Sequence, residues 1–441
     1  MSMDVRGRKI TVFGMGASGV AALELLREHG AVVRASDVKE REALPPFDAP
    51  FVPQSPAALE DCDIAVLSPG VPPDLPLFQE AARRGVRVVG DVEAASWFLQ
   101  GPVLGITGSN GKTTTTALAG HLLRAAGIPC QVGGNIGRPL AAMVAGSRPD
   151  QWNVLELSSF QLETSHTLRV RIAALLNITQ NHLDRHRTLE NYAAVKARIL
   201  ACQQPEDHAV LNAENAASAA LAAQARGRVW WFCAGGERRP GFWHENGTLL
   251  AGGEPFMEAA EIPLRGRHNL ENVLAAACCA HLAGAPLEAI RNGVRSFQGV
   301  EHRIEFVREL DGVRFYNDSK ATSVDATRKA LESFDGNLWV ILGGKDKGSD
   351  YRELRELLSR RARAALLIGA AAPIIASHLE GALPLIPCGD LRTAVETAWR
   401  CAEPGDTVLL APACASFDQF SGYEERGRVF KALVQALESR R

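Results

Sequence analysis

Three glycine-rich turns, each set directly after a short apolar run, constrain the fold of this chain more than any other feature. They span residues 14–19, 105–114 and 343–348, and the runs before them include Ile10-Thr11-Val12-Phe13, Val103-Leu104 and Leu338-Trp339-Val340-Ile341-Leu342. Elsewhere short apolar runs alternate with Ala/Leu-rich helical stretches. That is the pattern of parallel strands joined by crossover helices. No repeat of solenoid period and no low-complexity tract competes with it. The fold expected is α/β. A length of 441 residues exceeds one ordinary core and points to about three domains. One boundary is placed near Asp91, before a helical segment at 92–99 and the turn Gly101-Pro102. The other is near Phe297, after helices at 269–283 and 287–295. The expected domains are therefore 1–91, 92–297 and 298–441. Residues 226–263 read as strands and hairpins of the middle domain, and 428–441 as a closing amphipathic helix.

Composition excludes several classes of function. A formal net charge of −2 leaves no basic footprint for nucleic acid. No apolar run approaches the roughly 18 residues that span a bilayer, and the start enters a strand-like run without the stretch of a signal peptide. The nine cysteines are odd in number and form no C-x-x-C pair, which fits reduced thiols better than disulfides or zinc. The chain is expected in the cytoplasm, without nucleic-acid or membrane partners.

The strongest chemical signal is Gly105-Ile106-Thr107-Gly108-Ser109-Asn110-Gly111-Lys112-Thr113-Thr114, between a strand and a helix expected at 115–126. Successive N–H groups and a helix N-terminus favour phosphates. Lys112 suits the β/γ-phosphates, and the Thr113 hydroxyl suits Mg²⁺. Glu156 closes the run Val154-Leu155-Glu156, and in parallel sheets ligands bind beyond the carboxyl ends of strands. It is a candidate metal ligand, although a lone Glu there more often caps a helix. A third run, 172–178, leads into Asn181-His182-Leu183-Asp184-Arg185-His186. His182 is a candidate metal ligand or substrate contact. Thr188 is a candidate N-cap for the helix carrying Lys196. The ordinary reading of Lys196, among Ala193, Ala194, Val195 and Ile199, is a lysine reaching out of a half-buried helix. A desolvated lysine near metals, however, loses its proton readily. It can then take up carbon dioxide to form a carbamate, which is a carboxylate ligand.

Together these motifs resemble the ATPase domain of the Mur ligase family. The resemblance continues through Gly266-Arg267-His268-Asn269-Leu270-Glu271-Asn272 and His302-Arg303. The segments Asn317-Asp318-Ser319-Lys320-Ala321-Thr322, Gly343-Gly344-Lys345-Asp346-Lys347-Gly348 and 412–420 are similar to the family's D-glutamate-adding branch. It covers essentially the whole chain, in order.

The resemblance implies a Rossmann-like N-terminal domain, a central P-loop-type ATPase domain with a mainly parallel sheet, and a Rossmann-like C-terminal domain. It also revises one local reading. Gly14-Met15-Gly16-Ala17-Ser18-Gly19 with Asp37 after the strand 31–36 says NAD when read alone. Within the family this loop takes the diphosphate of a UDP-sugar. Gly14, Met15, Gly16, Ala17, Ser18, Asp37, Val38, Ser68 and Gly70 then serve that ligand, and Asn135, Ser158, Gln161 and His182 its muramoyl-alanine part. Val38-Lys39 stands where a Thr-Arg pair is common, and Ser323 where an Asn is common. Gly108 through Thr114, Asn269, Asn272, Arg303, Asp318, Lys320 and Asp346 are implied for ATP, with Lys112, His182, Lys196 and Arg303 catalytic. Thr113, Glu156, His182 and carbamylated Lys196 are implied for two Mg²⁺ sites. Thr322, Lys347, Ser416 and Tyr423 are implied for D-glutamate. The implied reaction joins D-glutamate to UDP-N-acetylmuramoyl-L-alanine through an acyl phosphate, in a monomer. The rivals are an NAD oxidoreductase, a sibling amide ligase and a non-catalytic nucleotide-binding protein.

Overall fold

The computed structural model describes residues 3–235, 240–264 and 266–440, with the side chains of 183 and 184 also outside that description. The chain forms two compact units, one of residues 1–262 with 268–297 and one of 263–267 with 298–441.

The first unit holds two sheets. In the smaller, β1 (Lys9–Phe13), β2 (Val32–Asp37), β3 (Phe51–Pro53), β4 (Ile64–Leu67) and β5 (Arg87–Gly90) lie in the order β3-β2-β1-β4-β5, all parallel. Four consecutive residues of β1 and all of β4 are buried. Such runs suit strands covered on both faces. The larger sheet contains β6 (Val103–Thr107), β7 (Cys130–Gly134), β8 (Trp152–Glu156), β9 (Ile172–Leu175) and β10 (His208–Asn212). It continues with β11 (Arg228–Cys233), β12 (Gly241–Glu245), β13 (Thr248–Ala251) and β14 (Glu254–Glu258). Its order is β14-β13-β12-β11-β10-β9-β6-β8-β7, and only β12 to β14 run antiparallel. The strands and hairpins expected at 226–263 are these, with 236–239 and 265 outside the described residues.

Strand order positions the chemistry. β6 lies between β8 and β9, with Ile106 beside Glu156 and Thr107 beside Leu175. The phosphate-loop candidate, Glu156 and the segment after β9 therefore emerge at adjacent strand ends. The two sheets are joined by Glu93, fully buried on the helix Asp91–Ser96. Its carboxylate accepts the Thr167 hydroxyl at 2.6 Å and the N–H groups of His166 and Thr167 at 2.8 and 2.9 Å.

The second unit is one sheet of β15 (Glu305–Leu310), β16 (Val313–Asn317), β17 (Leu338–Gly343), β18 (Ala362–Ile368), β19 (Leu385–Gly389) and β20 (Thr407–Leu410). Its order is β15-β16-β20-β17-β18-β19, with β15 alone antiparallel. The last strand in sequence enters between β16 and β17. It thereby gathers the ends at Asn317, Gly343 and Leu410.

Three helices differ from expectation. The phosphate-loop helix is Lys112–Ala125, starting three residues early because Gly111, at φ +83°, turns the loop straight into it. The helix near the first boundary is Asp91–Ser96. The closing helix is Tyr423–Gln435, beginning where Glu424 and Glu425 favour an N-terminus. All nine cysteines are free thiols. Among the described residues no helix is long and apolar enough to cross a membrane.

Candidate active site

The loop after β6 is pinned by the segment after β9. The Ser109 N–H donates to the Asn177 carbonyl at 2.8 Å, and the Asn110 N–H to Asn177 Oδ1 at 2.9 Å. The Ser109 hydroxyl accepts the Thr179 N–H at 2.9 Å and donates to the Thr179 carbonyl at 3.0 Å. A Cβ on Gly111 would stand 2.3 Å from Asn272 Oδ1, so only glycine allows that approach. Asn272 also accepts the Thr115 hydroxyl at 3.2 Å and donates to Asn269 at 3.0 Å. The fold thus brings Gly108, Ser109, Asn110, Gly111, Lys112, Thr113 and Thr114 together with Asn269 and Asn272. The first-turn N–H groups of the helix, which have no intrahelical acceptor, make this end attractive to an anion.

Two ammonium groups meet at this loop. Lys112 donates to the carbonyls of Gly108 and Ser109 at 2.9 and 3.0 Å. Lys196, 1% exposed, donates to the same Gly108 carbonyl at 2.8 Å and to the Thr107 hydroxyl at 3.3 Å. Its helix Leu189–Ala197 is capped by Thr188, whose side chain accepts the Asn191 N–H. The Tyr192 ring, one turn back, lies 4.6 Å beneath the ammonium. Desolvation, reinforced by Lys112, holds the Lys196 pKa well below the ordinary lysine value, with Glu156 opposing. Glu156 is itself 2% exposed. One of its oxygens accepts the Asn135 amide at 2.7 Å, and the other is buried without a hydrogen-bond partner.

His182 and His186 part company. His186 is buried and its Nε2 meets Ser159 Oγ at 3.0 Å. His182 is exposed at φ +54°, its ring 5.0 Å from that of Phe160. Ser158 and Gln161 close a capping box. The Ser158 hydroxyl accepts the Gln161 N–H at 3.2 Å, and Gln161 Oε1 accepts the Ser158 N–H at 3.0 Å.

In the smaller sheet the helix Ala17–Glu28 packs directly on its loop. A Cβ on Gly19 would lie 1.9 Å from the Gly14 carbonyl oxygen, which also accepts the Ser68 hydroxyl at 2.6 Å. Asp37 braces this loop. Its two oxygens accept the N–H groups of Met15 and Lys39 at 2.7 and 3.0 Å. Gly16, Ala17, Val38 and Gly70 are exposed, and Ser18 is half-buried.

The second unit groups the rest. Burial pushes the Asp318 carboxyl up to about 7, against the pull of Arg303 and Lys320. The Lys320 ammonium lies 5.6 Å over the Tyr423 ring. Lys347 donates to the Thr322 carbonyl at 3.4 Å. Asp346 shapes its own turn, accepting the Tyr351 hydroxyl at 2.6 Å and the Gly348 N–H at 3.0 Å. Lys345 and Ala415 exchange backbone bonds of 2.8 and 3.2 Å, so the turn bearing Lys347 lies beside Ser416.

Three family models match in succession: a Mur ligase MurD-like N-terminal domain at residues 8–90, a Mur ligase middle domain at 106–280, and a Mur ligase glutamate ligase domain at 302–414. The chain belongs to the Mur ligase family. This Mur ligase is 59% identical over 439 residues to a UDP-N-acetylmuramoylalanine--D-glutamate ligase of Solibacter usitatus, covering 99% of each chain. It is 52% identical to the protein of that name from Acidobacterium capsulatum, covering 98% of this chain and 97% of that one. In fold it is similar to the UDP-N-acetylmuramate-alanine ligase of Thermotoga maritima, at TM-score 0.63 and 18% identity over 97% of this chain and 99% of that one.

As a Mur ligase the chain is an ATP-dependent enzyme of peptidoglycan synthesis that uses Mg²⁺. The residues fit that ion, because the unpartnered Glu156 oxygen is a hard, buried donor in reach of a phosphate loop. Among the described residues no three His, Cys, Asp or Glu side chains converge. Sequence reasoning passed over Asn177, Thr179 and Tyr192. Tyr192 had a signal, standing four residues before Lys196 on one helix face. The Asn177 and Thr179 contacts cross about 70 positions and had none.

Proposed function

We propose that this chain joins D-glutamate to the alanyl carboxylate of UDP-N-acetylmuramoyl-L-alanine, cleaving ATP to ADP and phosphate. The observation that carries the reading is the convergence of Lys112 and Lys196 on the Gly108 carbonyl beside Glu156. Relatives of that printed name, matched end to end, support it.

The proposed division of labour is residues 1–91 for the UDP-sugar, 92–297 for ATP and 298–441 for the acceptor. Gly14 to Ser18, Asp37, Val38, Ser68 and Gly70 hold the UDP part. Asn135, Ser158, Gln161 and His182 face the muramoyl-alanine. The Gly108–Thr114 loop, Asn269, Asn272, Arg303, Asp318, Lys320 and Asp346 serve ATP. Thr322, Lys347, Ser416 and Tyr423 cradle D-glutamate.

A carboxylate oxygen attacks the γ-phosphorus in line while the bond to the ADP oxygen breaks. Lys112 and Arg303 steady the charge spread over the moving phosphoryl group. The α-amine then attacks the acyl carbon, phosphate departs with the C–O electron pair, and the amine gives up a proton. Water has to be kept from the acyl phosphate meanwhile. Magnesium, when bound, would supply positive charge that offsets the charge on the transferring phosphoryl group. Thr113, Glu156, His182 and Lys196 are proposed to hold it at two sites. Lys196 suits that role as a carbamate: its neutral amine attacks carbon dioxide and sheds a proton, turning a cation into an anionic oxygen donor. The enzyme is further proposed to work as a monomer in the cytoplasm.

Phosphate release from ATP, measured with UDP-N-acetylmuramoyl-L-alanine and each amino acid in turn, tests this. D-glutamate should support turnover, and L-glutamate and D-alanine almost none. Preference for L-alanine, L-lysine or diaminopimelate would make the chain a sibling ligase.

A further inference from the structure

One arginine in the second unit is buried as fully as the aliphatic core. Arg426, on the helix Tyr423–Gln435, is 1% exposed. Its Nε donates to Ser319 Oγ at 3.0 Å, and Nη2 to the carbonyls of Ser319 and Cys414 at 2.9 and 3.2 Å. Nη1 reaches the Ala415 carbonyl at 3.5 Å. Each of these acceptors is neutral. Burial draws the Arg426 pKa down to about 10, opposed by Cys414 and Asp418, and the Asp418 carboxylate itself accepts the Ala370 N–H at 2.9 Å. A guanidinium held in an interior by neutral oxygens alone is costly to keep.

Its position gives the cost a purpose. Ser319 belongs to the turn after β16, which leads to Thr322. Cys414 and Ala415 belong to the turn after β20, which leads to Ser416. The guanidinium also lies 3.1 Å from where a Cβ on Gly344 would stand, at the turn after β17 that leads to Lys347. Ser319 completes the ring by donating from Oγ to the Tyr423 carbonyl at 2.8 Å. All four residues assigned to the acceptor therefore hang on segments that touch this one group or its partner.

We propose that Arg426 is a positioning residue for a dicarboxylate acceptor, setting the spacing of the three turns that hold it and placing beneath them a positive charge that the acceptor's carboxylates answer. The inference rests on the acceptor being an acidic amino acid. Lysine in its place keeps the charge, but its compact head cannot bridge both turns as a planar fork does. Glutamine removes the charge. Ser319→Ala removes one bond and leaves the charge.

The test is steady-state kinetics of the whole enzyme for Arg426→Lys, Arg426→Gln and Ser319→Ala, with melting curves alongside. Arg426→Lys should raise the acceptor KM by about tenfold, the loss of roughly one hydrogen bond to a charged group, with the KM for ATP held within about twofold. Arg426→Gln should also lower the preference for D-glutamate over D-glutamine, its uncharged isostere, while Arg426→Lys preserves that preference. A merely structural staple would not separate those two variants. Equal rises in both KM values, a fall in kcat alone, or an unchanged preference in Arg426→Gln would overturn the proposal. Should neither arginine variant fold, Ser319→Ala decides it through the same KM split. The wild-type panel separates the two levels. A different acidic acceptor would sink the reaction proposed above and leave Arg426 to be judged with that acceptor, whereas a monocarboxylate acceptor would sink both.

Discussion

Lys112 and Lys196 donate to one carbonyl oxygen, that of Gly108, at 2.9 and 2.8 Å. Two ammonium groups so close repel each other, and the buried one yields because water cannot screen it. Burial thus favours the neutral amine at Lys196, the form that the proposed carbamate requires.

Lys196→Ala should lower turnover by about two orders of magnitude, the scale for removing one preorganised electrostatic group. Acetate should restore part of it by filling the vacated ligand position. Wild-type enzyme stripped of carbon dioxide should lose activity and regain it with bicarbonate. Full activity of Lys196→Ala without additives would end the carbamate assignment.

Lys112→Ala should cost about a hundredfold to a thousandfold in phosphate release. UDP affinity, measured by calorimetry, should change by less than about threefold, because a different sheet carries Gly14 and Asp37. Tight NAD binding in the same instrument would return the Gly14 loop to a dinucleotide reading.

Gly111→Ala should raise the KM for ATP and lower the melting temperature by several degrees. A non-glycine residue at φ +83° carries about 1–2 kcal/mol of strain, and the added methyl meets Asn272 Oδ1 at 2.3 Å. Normal values for both quantities would show that the loop tolerates a Cβ and that the Asn272 contact is dispensable.

Asp318 should make the second unit less stable as pH rises. Its carboxyl keeps a proton in the folded chain up to about 7, against an ordinary value of 3.8. Between those values the unfolded chain has released a proton that the folded chain still holds, so stability falls by at most about 1.4 kcal/mol per pH unit. Above pH 7 the loss is complete. Asp318→Asn should therefore gain on wild type from pH 5 to pH 7 and hold that lead at pH 8. Urea unfolding across the series reads it out, and a pH-independent difference would refute it.

Much was legible in the sequence because it is local. A run of apolar residues followed by Gly-Ser-Asn-Gly-Lys-Thr-Thr dictates strand, loop and helix within about 20 positions, and the three such turns announced parallel α/β sheets. The Thr188 cap was readable for the same reason. The tertiary structure decided what depends on contacts between distant residues. It set β6 between β8 and β9, which put Lys196 against a carbonyl 88 positions away. It used both Asp37 oxygens to brace backbone where the motif alone suggested a ribose. It buried Arg426, an ordinary surface residue by type, under turns 107 and 12 positions off. Periodicity and turn chemistry are written in neighbouring residues, but desolvation and the choice of hydrogen-bond partner arise only once the sheets have formed and strand ends from far along the chain meet.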